Sequence, residues 1–193
     1  VKSEDVLAVA CSAIGPCMLP LDAAGKPLMN AVLYGVDTRA SAQIAALNAQ
    51  IGPEVILARC GNALTSQSVG PKILWLKQQH PEIYAQTAMV VSATPYLTWK
   101  LTGAYVMDHY TAANFSPLYD VNRLKWVADL APDIIAPDRL PRLAWSSEIA
   151  GHVTAQAAAE TGLAVGTPVT VGTIDAAAEA VSMRLPGMAA GCT

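Results

Sequence analysis

Charged residues are scarce in this sequence, at 14% of its 193 residues, and neither sign predominates. Lysine and arginine number 12 against 15 aspartates and glutamates, which gives a formal net charge of −3. The chain therefore lacks the basic excess that binds nucleic acid or an anionic membrane surface, and we expect neither partner. The hydrophobic residues, at 53%, exclude intrinsic disorder. Their runs are far shorter than the roughly 18 apolar residues of a membrane span.

Cysteine is also sparse, and its spacing predicts no metal centre. The four positions fit neither a CxxC pair nor the disulfide framework of a small secreted domain: Cys11, Cys17, Cys60 and Cys192. Reduced, buried thiols favour a cytoplasmic protein. The first residues carry acids and no apolar segment, so no signal peptide is predicted. Because the chain lacks an initiator methionine and opens almost directly into an apolar strand, we expect a fragment of a longer protein.

Short apolar runs alternate with helical patterns along the chain. The runs predict strands at residues 6–11, 18–21, 31–34, 89–91 and 169–171, the first two forming a hairpin. Apolar spacing and Gly or Pro breaks predict helices at residues 40–51, 54–60, 69–79, 95–101, 154–159 and 176–181, and a helical turn within 108–114. This alternation predicts an α/β fold with one mixed sheet flanked by helices.

The most informative segment is a strand that ends at Gly172 and is followed by a carboxylate, Asp175, at the start of an alanine-rich helix. Ligands in open α/β sheets bind beyond the carboxyl ends of strands, so we expect this strand to be central and to open onto a cleft. A carboxylate at that position can accept a proton from a substrate hydroxyl. Asp is also a favoured helix cap, and the spacing alone leaves both interpretations open.

Two further polar clusters follow predicted elements. Asp37 and Arg39 could hold the hydroxyls of a sugar or pair with each other at the surface. Residues 108–111, Asp-His-Tyr-Thr, form a dense set of donors and acceptors, in which the histidine could equally be a surface residue.

Read in order, these segments resemble the FGGY carbohydrate kinases, the family of xylulokinases, ribulokinases and glycerol kinases. The resemblance runs through nearly the whole chain, and its strongest short match is the helix KILWLK at residues 72–77. The other matching segments are 6–22, 31–39, 96–103, 108–114 and 162–175.

The resemblance implies a ribonuclease H-like (actin/hexokinase-like) fold and transfer of phosphate from ATP, with Mg²⁺, to a hydroxyl of a sugar or polyol. A pentulose such as xylulose is the default substrate. Asp175 corresponds to the family's general base, and Asp37, Arg39 and Tyr110 to substrate-binding positions, so we expect these four to converge on one pocket. A homodimer is left open.

The sequence departs from the family at the predicted hairpin, where Gly15 and Pro16 replace a hydrogen-bonding pair in the substrate site. The family's amino-terminal phosphate hairpin and its carboxy-terminal ATP-binding domain also have no counterpart. We therefore expect residues 1–193 to form part of the sugar-binding domain and to be inactive alone. The alternatives are a non-catalytic sugar-binding or regulatory module on the same fold and a Rossmann protein. The latter is disfavoured because residues 12–17 lead into a second strand instead of a helix.

Overall fold

A computed structural model describes residues 2–183 and contains both helices and short strands, as expected. The α-helices are α1 (Ser41–Ile51), α2 (Pro53–Cys60), α3 (Val69–Gln79), α4 (Pro81–Gln86), α5 (Ala93–Thr102), α6 (His109–Ala112), α7 (Ala155–Thr161) and α8 (Asp175–Ser182). The strands are β1 (Ser12–Ala13), β2 (Leu19–Leu21), β3 (Met89–Val91), β4 (Val106–Asp108), β5 (Tyr119–Asp120), β6 (Lys125–Trp126), β7 (Arg142–Ala144), β8 (Ile149–His152), β9 (Pro168–Thr170) and β10 (Thr173–Ile174). Single 3₁₀ turns occur at Ser3–Asp5, Ala113–Phe115 and Pro137–Arg139.

The described residues form five two-stranded pairs instead of one continuous mixed sheet. β1 pairs with β10 and β4 with β7 in parallel, whereas β2–β3, β5–β6 and β8–β9 are antiparallel. β9 also bridges Val9 through Val169, so it lies between two neighbours, as expected of a central strand. Parallel and antiparallel pairing therefore coexist, but in short pieces.

The predicted hairpin of residues 6–22 is wrong, because β1 and β2 pair with other strands. The backbone of Val9 and Cys11 bonds to residues 168–173, whereas residues 18–21 bond to Val32 and to β3. In the intervening loop, Thr94 Oγ1 accepts from the Ala13 amide at 3.0 Å and Ser92 Oγ from the Cys17 amide at 3.0 Å. The strand predicted at residues 31–34 is reduced to one bridge, Val32 to Met18.

The main hydrophobic core lies among α1, α2, α3 and the segments around β5. α3 contributes Val69, Ile73 and Leu76, which are fully buried at helical spacing, and these pack in one cluster with Phe115 and Tyr119. The core thus fixes α3 firmly, and with it whatever side chains α3 directs towards residues 31–39.

Three cysteines, Cys11, Cys17 and Cys60, are free thiols. Burial raises the pKa of each, which keeps them protonated and unreactive. Cys192 lies outside the described residues. Within residues 2–183, no helix is both long and apolar enough to cross a membrane.

Gly172 lies between β9 and β10. The sequence predicts a single strand that ends at this glycine. Its φ is +72°, in the left-handed region, and a Cβ there would overlap the carbonyl oxygen of Cys11. Only glycine satisfies both conditions, so the chain turns here and pairs again in β10.

We predict that Gly172→Ala destabilises the protein much more than Gly162→Ala. Gly162 has φ +77° with no neighbouring atom within 4 Å of an added Cβ, so its substitution costs only the backbone strain of about 1–2 kcal/mol. Gly172→Ala adds a backbone clash to the same strain. Urea unfolding of the two variants measures the difference, and equal losses of unfolding free energy would contradict the close approach to Cys11.

Candidate active site

Asp175 is the first residue of α8 and directly follows β10. It is not the helix cap: Ile174 occupies that position, and the Asp175 carboxylate accepts from the Ala176 amide at 2.9 Å. The side chain is half-buried and stands in the first turn of the helix, where a negative charge is favourable. A partly accessible carboxylate at a strand–helix junction can receive a proton from a bound hydroxyl.

Thr94 fixes the strand end on which Asp175 stands. Its hydroxyl donates to the Thr173 carbonyl at 2.9 Å and accepts from the Ala13 amide at 3.0 Å. One side chain therefore ties β10 to β1, beside the parallel register that pairs Ser12 with Thr173. The position of Asp175 depends on this link.

Gly15 and Pro16 lie beside the same strand end. Both are buried, and a Cβ on Gly15 would overlap the Cγ2 atom of Ile174, the residue before Asp175. The next residue, Cys17, has a thiol whose pKa is raised by burial, lowered by the Lys72 charge and raised further by the Asp175 charge. The departure from the family pattern at residues 15 and 16 thus adjoins the predicted base.

Asp37 and Arg39 pair with each other, which was the simpler of the two interpretations. The guanidinium Nε of Arg39 lies 2.8 and 2.9 Å from the two carboxylate oxygens of Asp37, and a terminal nitrogen lies 2.8 Å from Oδ2. Hydrogen bonding from Arg39 holds the pKa of Asp37 below its usual value. The guanidinium also stacks over Trp75 of α3, at 4.8 Å from the ring centroid.

Lys72 is a residue that the sequence analysis did not single out as functional. It is only 1% exposed, and its amine donates to the Leu33 carbonyl at 2.9 Å. Burial lowers the pKa of the amine, while the negative charge of Asp37 opposes that shift. Lys72 therefore ties α3 to the Leu33 segment, which leads to Asp37. The available signal was its spacing, three after Val69 and four before Leu76, which puts it on the buried face of α3.

Tyr110 is attached to β10 indirectly. Its amide donates to Oδ2 of Asp108 at 3.0 Å, and the same oxygen accepts from the Thr173 hydroxyl at 2.7 Å. The ring is 41% exposed and stands edge-on to Trp145 at 6.4 Å.

The six predicted site residues fall into two groups by their contacts. Gly15 and Pro16 lie against the Asp175 junction, and Tyr110 reaches that junction through Asp108. Asp37 and Arg39 form the second group, in which they bind each other. The convergence of the two groups on one pocket stays a prediction.

An apolar cavity of about 290 Å³ borders Cys17 and Leu33. A second, of about 470 Å³, is lined by none of the six; Lys26, Tyr96, Trp99 and Lys100 are among its walls.

Within residues 2–183, no three His, Cys, Asp or Glu side chains approach one another closely enough to hold a metal ion. We assign no ligand for Mg²⁺ or ATP within this stretch.

Comparison with known proteins identifies the family. Residues 1–182 match the model of the amino-terminal domain of the FGGY family of carbohydrate kinases. The chain belongs to this family. The resemblance seen in the sequence motifs is thereby confirmed.

Two FGGY relatives illustrate the similarity. The L-xylulose/3-keto-L-gulonate kinase of Escherichia coli is 32% identical over 184 residues, which cover 94% of this chain and 36% of that protein. The autoinducer-2 kinase of Yersinia enterocolitica is 31% identical, over 86% of this chain and 32% of that protein. The chain spans about a third of the length of these relatives.

The solved structure of a xylulose kinase from Rhodospirillum rubrum has a TM-score of 0.86 with this chain at 31% identity, covering 91% of this chain and 36% of that one. This similarity confirms the expected α/β fold of FGGY kinases.

We predict that Lys72 makes the stability of the protein rise with pH on the alkaline side. The pKa of Lys72 is lower in the folded protein than its ordinary value of 10.5, so between the two pKa values the unfolded chain binds a proton that the folded chain does not. Unfolding free energy should then increase with pH through that window and should increase less in Lys72→Met. Urea unfolding at several alkaline pH values measures this. The exposed Lys100 supplies the control. If unfolding free energy no longer increases with pH in Lys100→Met but still does so in Lys72→Met, Lys72 is not its source.

Proposed function

We propose that the kinase to which this chain contributes transfers the terminal phosphoryl group of ATP to a hydroxyl of a sugar or polyol. In this proposal residues 1–193 are the sugar-binding part, and Asp175 is the base. The observation that carries the proposal is the half-buried carboxylate of Asp175 at a strand–helix junction, beside the buried Gly15-Pro16 segment. Membership of the FGGY family supports the reaction class.

Asp175 orients the attacking hydroxyl by accepting its hydrogen bond, and it takes the proton as the oxygen–phosphorus bond forms. Phosphoryl transfer passes through a loose transition state in which positioning contributes much of the rate. The Thr94 link between β1 and β10 supplies that positioning on the protein side. ATP with Mg²⁺ supplies the phosphoryl group, and its ligands would come from outside residues 2–183.

The substrate would be a ketose or polyol, with a pentulose as the default. Asp37, Arg39 and Tyr110 would bind its other hydroxyls. Gly15 and Pro16 bring no hydrogen-bonding side chain, so they would contribute shape and the backbone. Similar proteins are named as kinases of L-xylulose and of autoinducer-2, and this range supports a small polyhydroxylated substrate without selecting one.

We expect Asp175→Asn in the whole kinase to lower kcat by about 10²–10⁴-fold, the usual effect of removing a general base. KM for the sugar should change far less, because Asn keeps the shape and one hydrogen bond, and a base acts mainly in the transition state. Coupled ATP turnover on a panel of ketopentoses, tetritols and glycerol measures both constants.

Glu179→Gln is the matched control, because Glu179 is an exposed carboxylate one turn further along α8. It should keep the wild-type kcat. A wild-type kcat in Asp175→Asn on its best sugar would refute the role of Asp175.

We also expect the 193-residue chain to bind its sugar without ATP and to show no turnover. Isothermal titration with pentuloses should give heat, whereas titration with ATP should give none, because in this proposal residues 1–193 are the sugar-binding part and ATP binds elsewhere in the kinase. Nucleotide binding by the chain alone would contradict the division of roles. Sugar binding with no turnover in the whole protein would favour the non-catalytic module.

A further inference from the structure

Asp108 is a buried carboxylate for which the proposed reaction has no direct use. It ends β4, is 1% exposed, and caps α6 by accepting from the amides of Tyr110 at 3.0 Å and Thr111 at 3.2 Å. It also accepts from two hydroxyls: Thr111 Oγ1, in the same turn, and Thr173 Oγ1, in β10, at 2.7 Å. A cap needs only the local bonds, so the bond to Thr173 calls for a separate explanation.

The hydrogen bond from the Thr173 hydroxyl connects Asp108 to β10, the strand that directly precedes Asp175. Thr173 is held on its other side as well, since its carbonyl accepts from Thr94 at 2.9 Å. Thr94 thus binds the backbone of Thr173 and Asp108 binds its side chain, and Thr173 lies two residues before Asp175. The bond from the Thr173 hydroxyl to the Asp108 carboxylate is partly buried and charge-assisted, which makes it strong and directional.

We propose that Asp108 is a positioning residue, which fixes the β10–α8 junction and so aims the Asp175 carboxylate at the reacting hydroxyl. This inference rests on the proposed role of Asp175. Asp108 itself touches neither substrate nor phosphate in this account.

The hydrogen bonds of Asp108 offset the cost of burying its carboxylate. Burial of Asp108 raises the pKa of its carboxyl, and the bonds from Thr111, Thr173 and Tyr110 oppose that rise. Burying a charge is costly unless its hydrogen bonds are satisfied, and here two amides and two hydroxyls satisfy it. Removal of one hydroxyl leaves the others in place, so each link can be tested separately.

Thr173→Val and Thr111→Val form a matched pair in the whole kinase. Each variant replaces a hydroxyl that donates to Asp108 by a methyl group of similar size. Only Thr173→Val removes the hydrogen bond between Asp108 and β10, the strand that precedes Asp175. We expect Thr173→Val to lower kcat about tenfold or more, because a small misplacement of a catalytic group costs up to about 10²-fold. KM for the sugar should stay within about twofold. Thr111→Val should keep the wild-type kcat even if its unfolding temperature falls as far.

Thr173→Ser keeps the hydroxyl and should restore kcat. If Thr173→Val does not fold, Thr173→Ala, which is smaller and equally without a hydroxyl, replaces it in the comparison with Thr173→Ser.

The outcomes separate the two claims. If Asp175→Asn loses activity while Thr173→Val and Thr111→Val have equal kcat, the positioning role of Asp108 is wrong and the role of Asp175 stands. If Asp175→Asn retains the wild-type kcat, the proposed function fails and the inference fails with it. A loss of kcat confined to Thr173→Val and reversed in Thr173→Ser supports the proposal.

Discussion

The parallel pairing of β1 with β10 is the contact on which the candidate site depends. It brings the first strand of the described chain against the last, and these elements lie at opposite ends of the sequence. Two residues on each side make a weak pair by themselves, so the Thr94 hydroxyl is needed to bridge the Ala13 amide and the Thr173 carbonyl. Everything placed next to Asp175, including the buried Gly15-Pro16 turn, follows from this closure.

Two buried charges hold the segments around that closure. Lys72 of α3 binds the Leu33 carbonyl, and Asp108 at the end of β4 binds the Thr173 hydroxyl. Because a buried charge without partners is very costly, each of these groups strongly favours the one arrangement in which its hydrogen bonds form. The core around α3 is buried and well packed, and the Lys72–Leu33 bond and the Arg39–Trp75 contact join the Leu33 segment and the Asp37–Arg39 pair to it. The proposed function needs such fixed placement, because the rate of group transfer depends on the orientation of the reacting groups.

Sequence reasoning predicted the helices well and the sheet poorly. α1, α2 and α3 have clear apolar spacing and Gly or Pro boundaries, which are local signals. Strand pairing depends on distant segments: the hairpin of residues 6–22 fails because its two halves pair with residues 168–174 and with residues 32 and 89–91, which no local pattern reveals. The family could be predicted because several weak motifs occur in the right order. Lys72 was missed as a site residue because a lysine inside an apolar helix motif resembles a solvated position.

The central proposal is that a sugar binds with its reacting hydroxyl at Asp175. A crystal structure of the whole kinase with the sugar that it phosphorylates fastest tests this proposal. We expect the reacting hydroxyl to lie within about 2.6–3.2 Å of the Asp175 carboxylate, with the sugar against the Gly15-Pro16 segment. A sugar bound out of reach of Asp175, for example in the cavity beside Lys26 and Lys100, would contradict it.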